Sequence, residues 1–299
     1  MNLIASIDIG GTSIKYGVVD SANNDFTYLG KIDTDTHLEN FRMEERLETV
    51  MMEILKNHDI SGIAISTAGI VDTDRGMIIH ANKNIPHYKG TCLKEILESQ
   101  YDVPVSVEND VNAALLGEVT FGAFKSVHSA IMLTIGTGVG GALYLNKDIY
   151  RGFSYSAGEA GYSLINNHKI EESASTTALV ENVKRRTGNL HCDGEWIFDQ
   201  AINHHNKICI EEIDNLVADL TQLIITFVSL INPEVVILGG GIMEQTDYLN
   251  PLFRKKFDSL YSNTFVAQQT KISFASLGNK AGVLGAYSHF KKMNEESNN

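Results

Sequence analysis

Glu108-Asn109-Asp110 opens the stretch ENDVNAALLGE, an acid-amide-acid triplet at the mouth of an apolar helix pattern. Val105-Ser106-Val107 runs into it as a strand, so the triplet sits at the carboxyl end of that strand, the edge where open α/β sheets bind ligands. Asn and Asp are also ordinary helix N-caps, and Asp110 could accept a bond from a free backbone N–H there. Both readings stand on these residues alone. A second carboxylate, Asp8, lies near the end of the strand Leu3 to Ile9, just before Gly10-Gly11-Thr12. Glycine turns expose backbone N–H groups that make nests for anions. A carboxylate aimed at such a nest makes sense if Mg²⁺, still carrying waters, lies between it and phosphates, which makes Asp8 the candidate metal residue. Lys15, three residues after Thr12, reads either as a solvated strand lysine or as a phosphate contact.

The elements around these residues repeat one grammar: a β-branched apolar strand, then glycines, then another regular element. Ala130 to Ile135 is followed by Gly136-Thr137-Gly138-Val139-Gly140-Gly141, and Val235 to Leu238 by Gly239-Gly240-Gly241. After the first two turns the chain returns as an alternating strand, Ser13 to Val19 and Ala142 to Leu145, so both are hairpins whose turns can approach a ligand closely. The third is consistent with a strand-to-helix turn. The spacing suggests an internal duplication with a cleft between the halves, and clefts of that kind bind small ligands. Several glycine turns facing one cleft suit a polyphosphate, although the G-x-x-x-x-G-K-[ST] spacing is absent. A strand is expected over Gly62 to Ser66, helices over Leu93 to Tyr101, about Ser173 to Thr187, Ile213 to Ile231 and roughly Gly282 to Lys291, and a disordered tail over Met293 to Asn299.

Composition narrows the class. A chain of 299 residues is long for one hydrophobic core, so two domains are expected. A formal charge of −13, with basic residues only in short groups such as Lys184-Arg185-Arg186, argues against nucleic acid as a partner. Cys92, Cys192 and Cys209 are few, odd in number and far apart, which fits a reducing compartment. The start MNLIASIDIGG has no signal-peptide pattern, and the apolar stretch Leu216 to Ile231 is too short to span a bilayer, so a cytoplasmic protein with no membrane partner is expected.

IDIGGTSIK (Ile7 to Lys15), ISTAGIVD (Ile65 to Asp72), ENDVNAALLGE, TIGTGVGGALYLN (Thr134 to Asn146), GEAGY (Gly158 to Tyr162) and NPEVVILGGGI (Asn232 to Ile242) together resemble the ordered motif series of the ROK family. These are sugar kinases and sugar-responsive repressors of the actin-like, hexokinase-type ATPase fold. Six motifs in order cover nearly the whole chain.

The resemblance implies an α/β fold of two actin-like (ribonuclease H-like) domains with ATP and sugar meeting in a central cleft. The first domain would span residues 1–115 plus a C-terminal helix over 282–292, and the larger second domain 116–281. Asp110 would be the catalytic base that accepts the proton of the attacking sugar hydroxyl, and Asn109 would hold a neighbouring hydroxyl. Phosphoryl transfer is mostly positioning and charge stabilisation, and one carboxylate orienting the acceptor suits it. Asn84, in Lys83-Asn84-Ile85-Pro86, matches an asparagine that touches the sugar. Glu159 matches a sugar-hydroxyl acceptor, and Glu171 the glutamate that closes the sugar pocket. Gly10, Gly11, Thr12, Thr137 and Gly138 would cradle phosphates, while Gly240 and Gly241 would border the adenosine. A homodimer is also implied.

Two departures from the pattern matter. Tyr162 stands where the family usually has histidine, and the C-x-C-G-x-x-G-C zinc segment is missing, with only SLINNHKI before Glu171. Structural zinc normally takes four Cys or His ligands, and the spacing of His191, Cys192, His204, His205 and Cys209 matches no common zinc pattern, so no structural zinc is expected. Tyr162 can donate an O–H bond or stack on a sugar face, but the pocket wall must differ. The zinc-less pattern resembles β-glucoside kinases, which phosphorylate the 6-hydroxyl of a glucose unit in a disaccharide such as cellobiose. The alternatives are N-acetylmannosamine kinase or glucokinase of the same family, and, in another class, a sugar-binding regulator without kinase activity. A repressor is disfavoured by the acidic charge and by a first strand that starts at residue 3.

Overall fold

The computed structural model describes residues 3–81, 84–261 and 263–297. In chain order the elements are β1 (Leu3–Ile9), β2 (Ser13–Asp20), β3 (Asp25–Asp33), α1 (Met43–Leu55), β4 (Ile60–Thr67), β5 (Ile70–Asp72), β6 (Met77–His80), α2 (Leu93–Tyr101), β7 (Val105–Asn109) and α3 (Asp110–Thr120). Then come β8 (Ser129–Ile135), β9 (Val139–Leu145), β10 (Asp148–Ile149), β11 (Leu164–Ile165), β12 (His168–Lys169), α4 (Ile170–Ala174), α5 (Thr176–Thr187), α6 (Gly194–Ile202) and α7 (Lys207–Ile231). The last are β13 (Val235–Gly239), α8 (Thr246–Tyr261), β14 (Lys271–Phe274) and α9 (Ala281–Ser297).

Two compact units divide the chain: unit 1 is 1–125, 152–156 and 279–299, and unit 2 is 126–151 and 157–278. Unit 1 has a five-stranded sheet in the order β3-β2-β1-β4-β7, and unit 2 one in the order β10-β9-β8-β13-β14. In both, the first three strands pair antiparallel and the last three parallel. The same sheet is therefore built twice, as the repeated strand-glycine-strand grammar implies, and the two-domain actin-like fold follows.

In unit 1 the pleat of β1 sends alternate residues to opposite faces. Ala5, Ile7 and Ile9 meet Leu47 and Met51 of α1, while Ile4 packs with Ala286, Tyr287 and Phe290 of α9. Helices α3 and α9 cross closely because glycines face backbone: a Cβ on Gly117 would lie 2.5 Å from the Ala281 carbonyl oxygen, and one on Gly285 would collide with that of Ala113. The boundary expected at residue 115 thus falls inside α3, which lies whole in unit 1. The helix expected to stop near residue 291 runs to Ser297, since Met293, Glu295 and Glu296 are good helix formers and Asn294 Nδ2 donates to the Phe290 carbonyl. The tail expected to be disordered from Met293 is therefore helical as far as Ser297, and residues 298–299 lie outside the described ones. Tyr155 O–H donates to Asp74 Oδ2 at 2.8 Å, which ties segment 152–156 into unit 1 and pushes the phenol up to about 12.

In unit 2, α7 is 25 residues long because Asn206 caps it ten residues before Leu216, its side chain accepting from the Ile208 and Cys209 N–H groups. By length and composition alone it could cross a membrane, a test that a buried core helix also passes. Its Cys209, Ile213, Leu216, Leu220 and Ile224 lie in the unit 2 core with Ile131, Leu133 and Val236 of the sheet. The single helix expected over 173–187 is two, broken at Ser175, whose extended backbone lets its Oγ cap α5 by accepting from Ala178 N–H.

Candidate functional site

In unit 1 the sheet register brings Asp8 opposite Lys15 on one side and Ser66 on the other. Ser66 Oγ donates to Asp8 Oδ1 at 2.8 Å. Burial raises the Asp8 carboxyl above the ordinary aspartate range, while the Ser66 bond and the charge of Lys15 pull it down. Gly282 at the start of α9 packs directly on this carboxylate, since a Cβ there would lie 2.6 Å from Asp8 Cγ and Oδ1. Lys15 Nζ donates to Asn279 Oδ1 at 2.8 Å, which uses one of its three N–H donors.

The turn after β1 is held from below. Gly10 N–H donates to the Ser13 carbonyl at 3.0 Å, and Thr34 Oγ1 donates to the Gly10 carbonyl at 2.7 Å. Gly11 faces Asn84, whose Cβ would be 3.3 Å from a Cβ at Gly11. The phosphate turn and the expected sugar residue Asn84 are therefore neighbours. Thr12 is exposed, and Lys83 of the Asn84 motif lies outside the described residues.

At the β7–α3 junction, Asn109 is the N-cap: its Oδ1 accepts from Val111 N–H at 2.9 Å and Asn112 N–H at 3.1 Å. Its Nδ2 donates to the Gly69 carbonyl and to Asp110 Oδ1, both at 2.9 Å. Two donors and two lone pairs exhaust an amide. Asn109, expected to hold a sugar hydroxyl, is thus engaged by the protein as cap and brace. Asp110 Oδ1 accepts from Val111 N–H at 2.9 Å as well, so two donors fix its carboxylate at the first turn of α3.

Behind this turn, Glu108 is fully buried. Its Oε1 accepts from Asn109 N–H at 2.8 Å and Asn112 Nδ2 at 3.1 Å, and its Oε2 lies 3.7 Å from His289 Nδ1 on α9. Ser66, Gly69 and His289 were missed from the sequence. The first is a lone serine in an apolar strand in register with Asp8, and the last a histidine in the apolar pattern of the final helix.

Unit 2 holds a cavity of about 720 Å³ lined by Gly136, Thr137, Thr176, Lys184, Phe198 and Gly241, among others. Volumes of this order take nucleotide-sized ligands. Thr176 N–H donates to the Gly136 carbonyl at 2.8 Å, which sets the N-terminus of α5 against the glycine turn. Gly136, Thr137 and Gly241 line the same cavity. Gly240 differs from Gly241: its φ is +106° and a Cβ would strike the Ile135 backbone, so it shapes the turn, whereas a Cβ on Gly241 would meet nothing within 4 Å. Lys184 and Phe198, missed as lining residues, come from helices whose patterns give no sign of facing a ligand.

On the other side of the same turn, Glu171 Oε2 would lie 3.3 Å from a Cβ on Gly138 and equally from one on Gly161. This one carboxylate therefore joins the expected phosphate turn to the GEAGY turn. Glu159 and Tyr162 are both exposed, and Lys169 Nζ sits 5.3 Å over the Tyr162 ring. Among the described residues, no group of three or more His, Cys, Asp or Glu could hold a metal ion. Cys192 and Cys209 lie in the unit 2 core. Mg²⁺ usually uses one or two carboxylates plus substrate phosphates, and the half-buried Asp8, fixed by the Ser66 hydroxyl, fits that donor set.

A doubled ribonuclease H-like sheet with glycine turns, a nucleotide-sized cavity and a carboxylate at a strand end belongs to the actin-like class, and the comparisons make it an ATP-dependent carbohydrate kinase. The ROK family model matches residues 4–293, and the chain belongs to the ROK family. It is 28% identical to a β-glucoside kinase of Listeria monocytogenes over 96% of this chain and 97% of that one. A ROK family protein from Streptococcus pneumoniae, solved in complex with sucrose, is 30% identical with a TM-score of 0.84, covering 98% of this chain and 99% of that one. A ROK family glucokinase from Streptomyces griseus, solved with glucose and AMPPNP, is 27% identical with a TM-score of 0.82, covering 95% and 98%.

Proposed function

We propose that the protein transfers the γ-phosphate of ATP to the 6-hydroxyl of a glucose unit within a β-glucoside such as cellobiose. Asp110 carries the reading: its carboxylate is fixed by Asn109 Nδ2 and Val111 N–H, as a general base must be before it can orient a hydroxyl. In the reaction the 6-oxygen attacks phosphorus, Asp110 takes the hydroxyl proton, the bond from phosphorus to the β,γ-bridging oxygen breaks, and ADP departs. Gly11, Thr12, Thr137 and Gly138 would offer N–H groups to the phosphates, Gly10 would hold the turn that presents them through its own N–H bond to the Ser13 carbonyl, and Gly241 with Thr176 would wall the nucleoside. Asp8 would hold Mg²⁺ through water, and the ion would supply charge neutralisation at the phosphates. Asn84, Glu159 and Glu171 would hold the phosphorylated glucose unit, and Tyr162 would contact the sugar beside it.

Similarity to the Listeria kinase supports a β-glucoside substrate, as does Tyr162 in place of the family histidine. Glucokinase activity is the second reading, favoured by the likeness to the glucose-bound Streptomyces enzyme. The reading places the enzyme in the cytoplasm as a homodimer, and exposed Leu230, Leu260 and Phe265 on unit 2 are apolar surface that a second copy could cover. The test is ADP release coupled to a spectroscopic readout, with MgATP and a panel of glucose, N-acetylmannosamine, cellobiose, gentiobiose and an aryl β-glucoside. A higher kcat/KM for cellobiose than for glucose is expected. Strong preference for the monosaccharide would reassign the enzyme as a glucokinase.

A further inference from the structure

Tyr162 is an aromatic side chain that the fold leaves 53% exposed, and Leu164, two residues on, is 69% exposed. Neither is loose. Tyr162 closes a short 3-10 turn, Ala160–Tyr162, whose Gly161 is wedged so tightly that a Cβ would lie 2.5 Å from the Val139 carbonyl oxygen. Tyr162 N–H donates to the Glu159 carbonyl, and Ser163 N–H to the Ala160 carbonyl at 2.9 Å. The hairpin of β11 and β12 then brings Lys169 back over the ring, in register with Leu164. A cation over one face orients an aromatic ring, and the exposed remainder of the ring is a flat surface of fixed direction.

The neighbours of this surface say what it is for. Glu159 immediately precedes the turn, and Glu171 packs its carboxylate against Gly161 at the turn's centre. Both are the proposed hydroxyl acceptors for the phosphorylated glucose, so Tyr162 lies beside that ring and not remote from it. We propose that Tyr162 and Leu164, with Lys169 holding the Tyr162 ring from its other face, form a subsite on which the second sugar ring of a β-linked disaccharide lies. The inference rests on the β-glucoside reading and deepens it. An amphipathic aromatic suits a pyranose, whose C–H face is apolar and whose rim is hydroxylated.

The experiment compares kcat/KM for cellobiose and for glucose in the wild type, Tyr162→Ala, Tyr162→Phe and Leu164→Asn. In Tyr162→Ala the cellobiose-to-glucose ratio falls about tenfold, the scale of one lost aromatic contact, chiefly through KM for cellobiose. Tyr162→Phe keeps most of the ratio, and Leu164→Asn, at a side chain too exposed to threaten folding, lowers it about threefold by the same scale. A ratio unchanged in Tyr162→Ala and Leu164→Asn, with cellobiose turned over by the wild type, overturns the subsite alone. A wild type that turns over glucose and not cellobiose overturns the β-glucoside reading and the subsite together.

Discussion

Gly282→Ala separates catalytic placement from stability. A Cβ at Gly282 would lie 2.6 Å from Asp8 Cγ and Oδ1 and 2.7 Å from Oδ2. Carbon atoms in contact stand about 3.5–4.0 Å apart, so the carboxylate must retreat by about 1 Å. Ser66 Oγ is 2.8 Å from Oδ1, and a retreat of that size stretches the bond past useful length. Losing a bond to a charged group costs about 1.5–3 kcal/mol, whereas alanine in place of glycine inside a helix returns about 1 kcal/mol. The net loss of stability is about 0.5–2 kcal/mol, small enough to leave a folded enzyme. Misplacing a catalytic group by 1 Å costs about 10²-fold in rate. Steady-state assay at saturating MgATP should therefore show kcat down about a hundredfold, with a modest fall in Tm by calorimetry. Gly285→Ala is the contrasting control: its Cβ would collide with the Ala113 carbonyl, which belongs to backbone and cannot swing away. It should unfold the protein or cost several kcal/mol as α3 and α9 are forced apart. Full kcat in Gly282→Ala would refute the role given to Asp8.

Asp110→Asn should lower kcat by about 10²–10⁴, the range of a lost general base, while circular dichroism stays unchanged. Gly240→Ala should destabilise, because its φ of +106° is strained for any L side chain and its Cβ meets the Ile135 backbone. Gly241→Val should leave Tm nearly unaltered and raise KM for ATP, since its side chain enters the cavity; a shift in sugar KM instead would move the nucleotide site elsewhere. Chelation by EDTA should abolish turnover without altering the melting curve, and added Mg²⁺ should restore it. His289→Ala should lower stability in chemical denaturation, because it empties the buried space between α9 and Glu108.

How far the sequence reached depended on whether a signal was local. Leu93–Tyr101 was legible because its apolar spacing and the proline at 104 are contiguous, and the doubled sheet because strand, glycine and returning strand lie within about fifteen residues each time. The break at Ser175 was not legible, since a serine amid helix formers reads as a tolerated interior residue until its Oγ is seen to cap α5. The 152–156 segment joins unit 1 through Tyr155 and Asp74, a contact 81 residues apart that no periodicity encodes. Asn109 illustrates the limit at the site itself. Its type and place suggested a ligand contact, and only the coordinates reveal that Gly69, Asp110, Val111 and Asn112 already use all of its amide. Glu108 and His289 are invisible for the same reason, each being ordinary in its own window.

The two glycine hairpins differ at one matched place, where the first carries a carboxylate and the second does not. Asp8 stands two residues before Gly10, and Thr134 two residues before Gly136, at matching places in the two copies of the sheet. Two carboxylates directed at a triphosphate would add to a charge that is already hard to gather. A single one, with a divalent cation to share, converts repulsion into attraction. Threonine at the second place keeps the strand's β preference without the charge. On this argument Thr134→Asp should weaken ATP binding even though it makes the two hairpins more alike. Asp8→Thr should weaken the dependence of ATP binding on Mg²⁺, because it removes the carboxylate that gives the cation a partner in the protein.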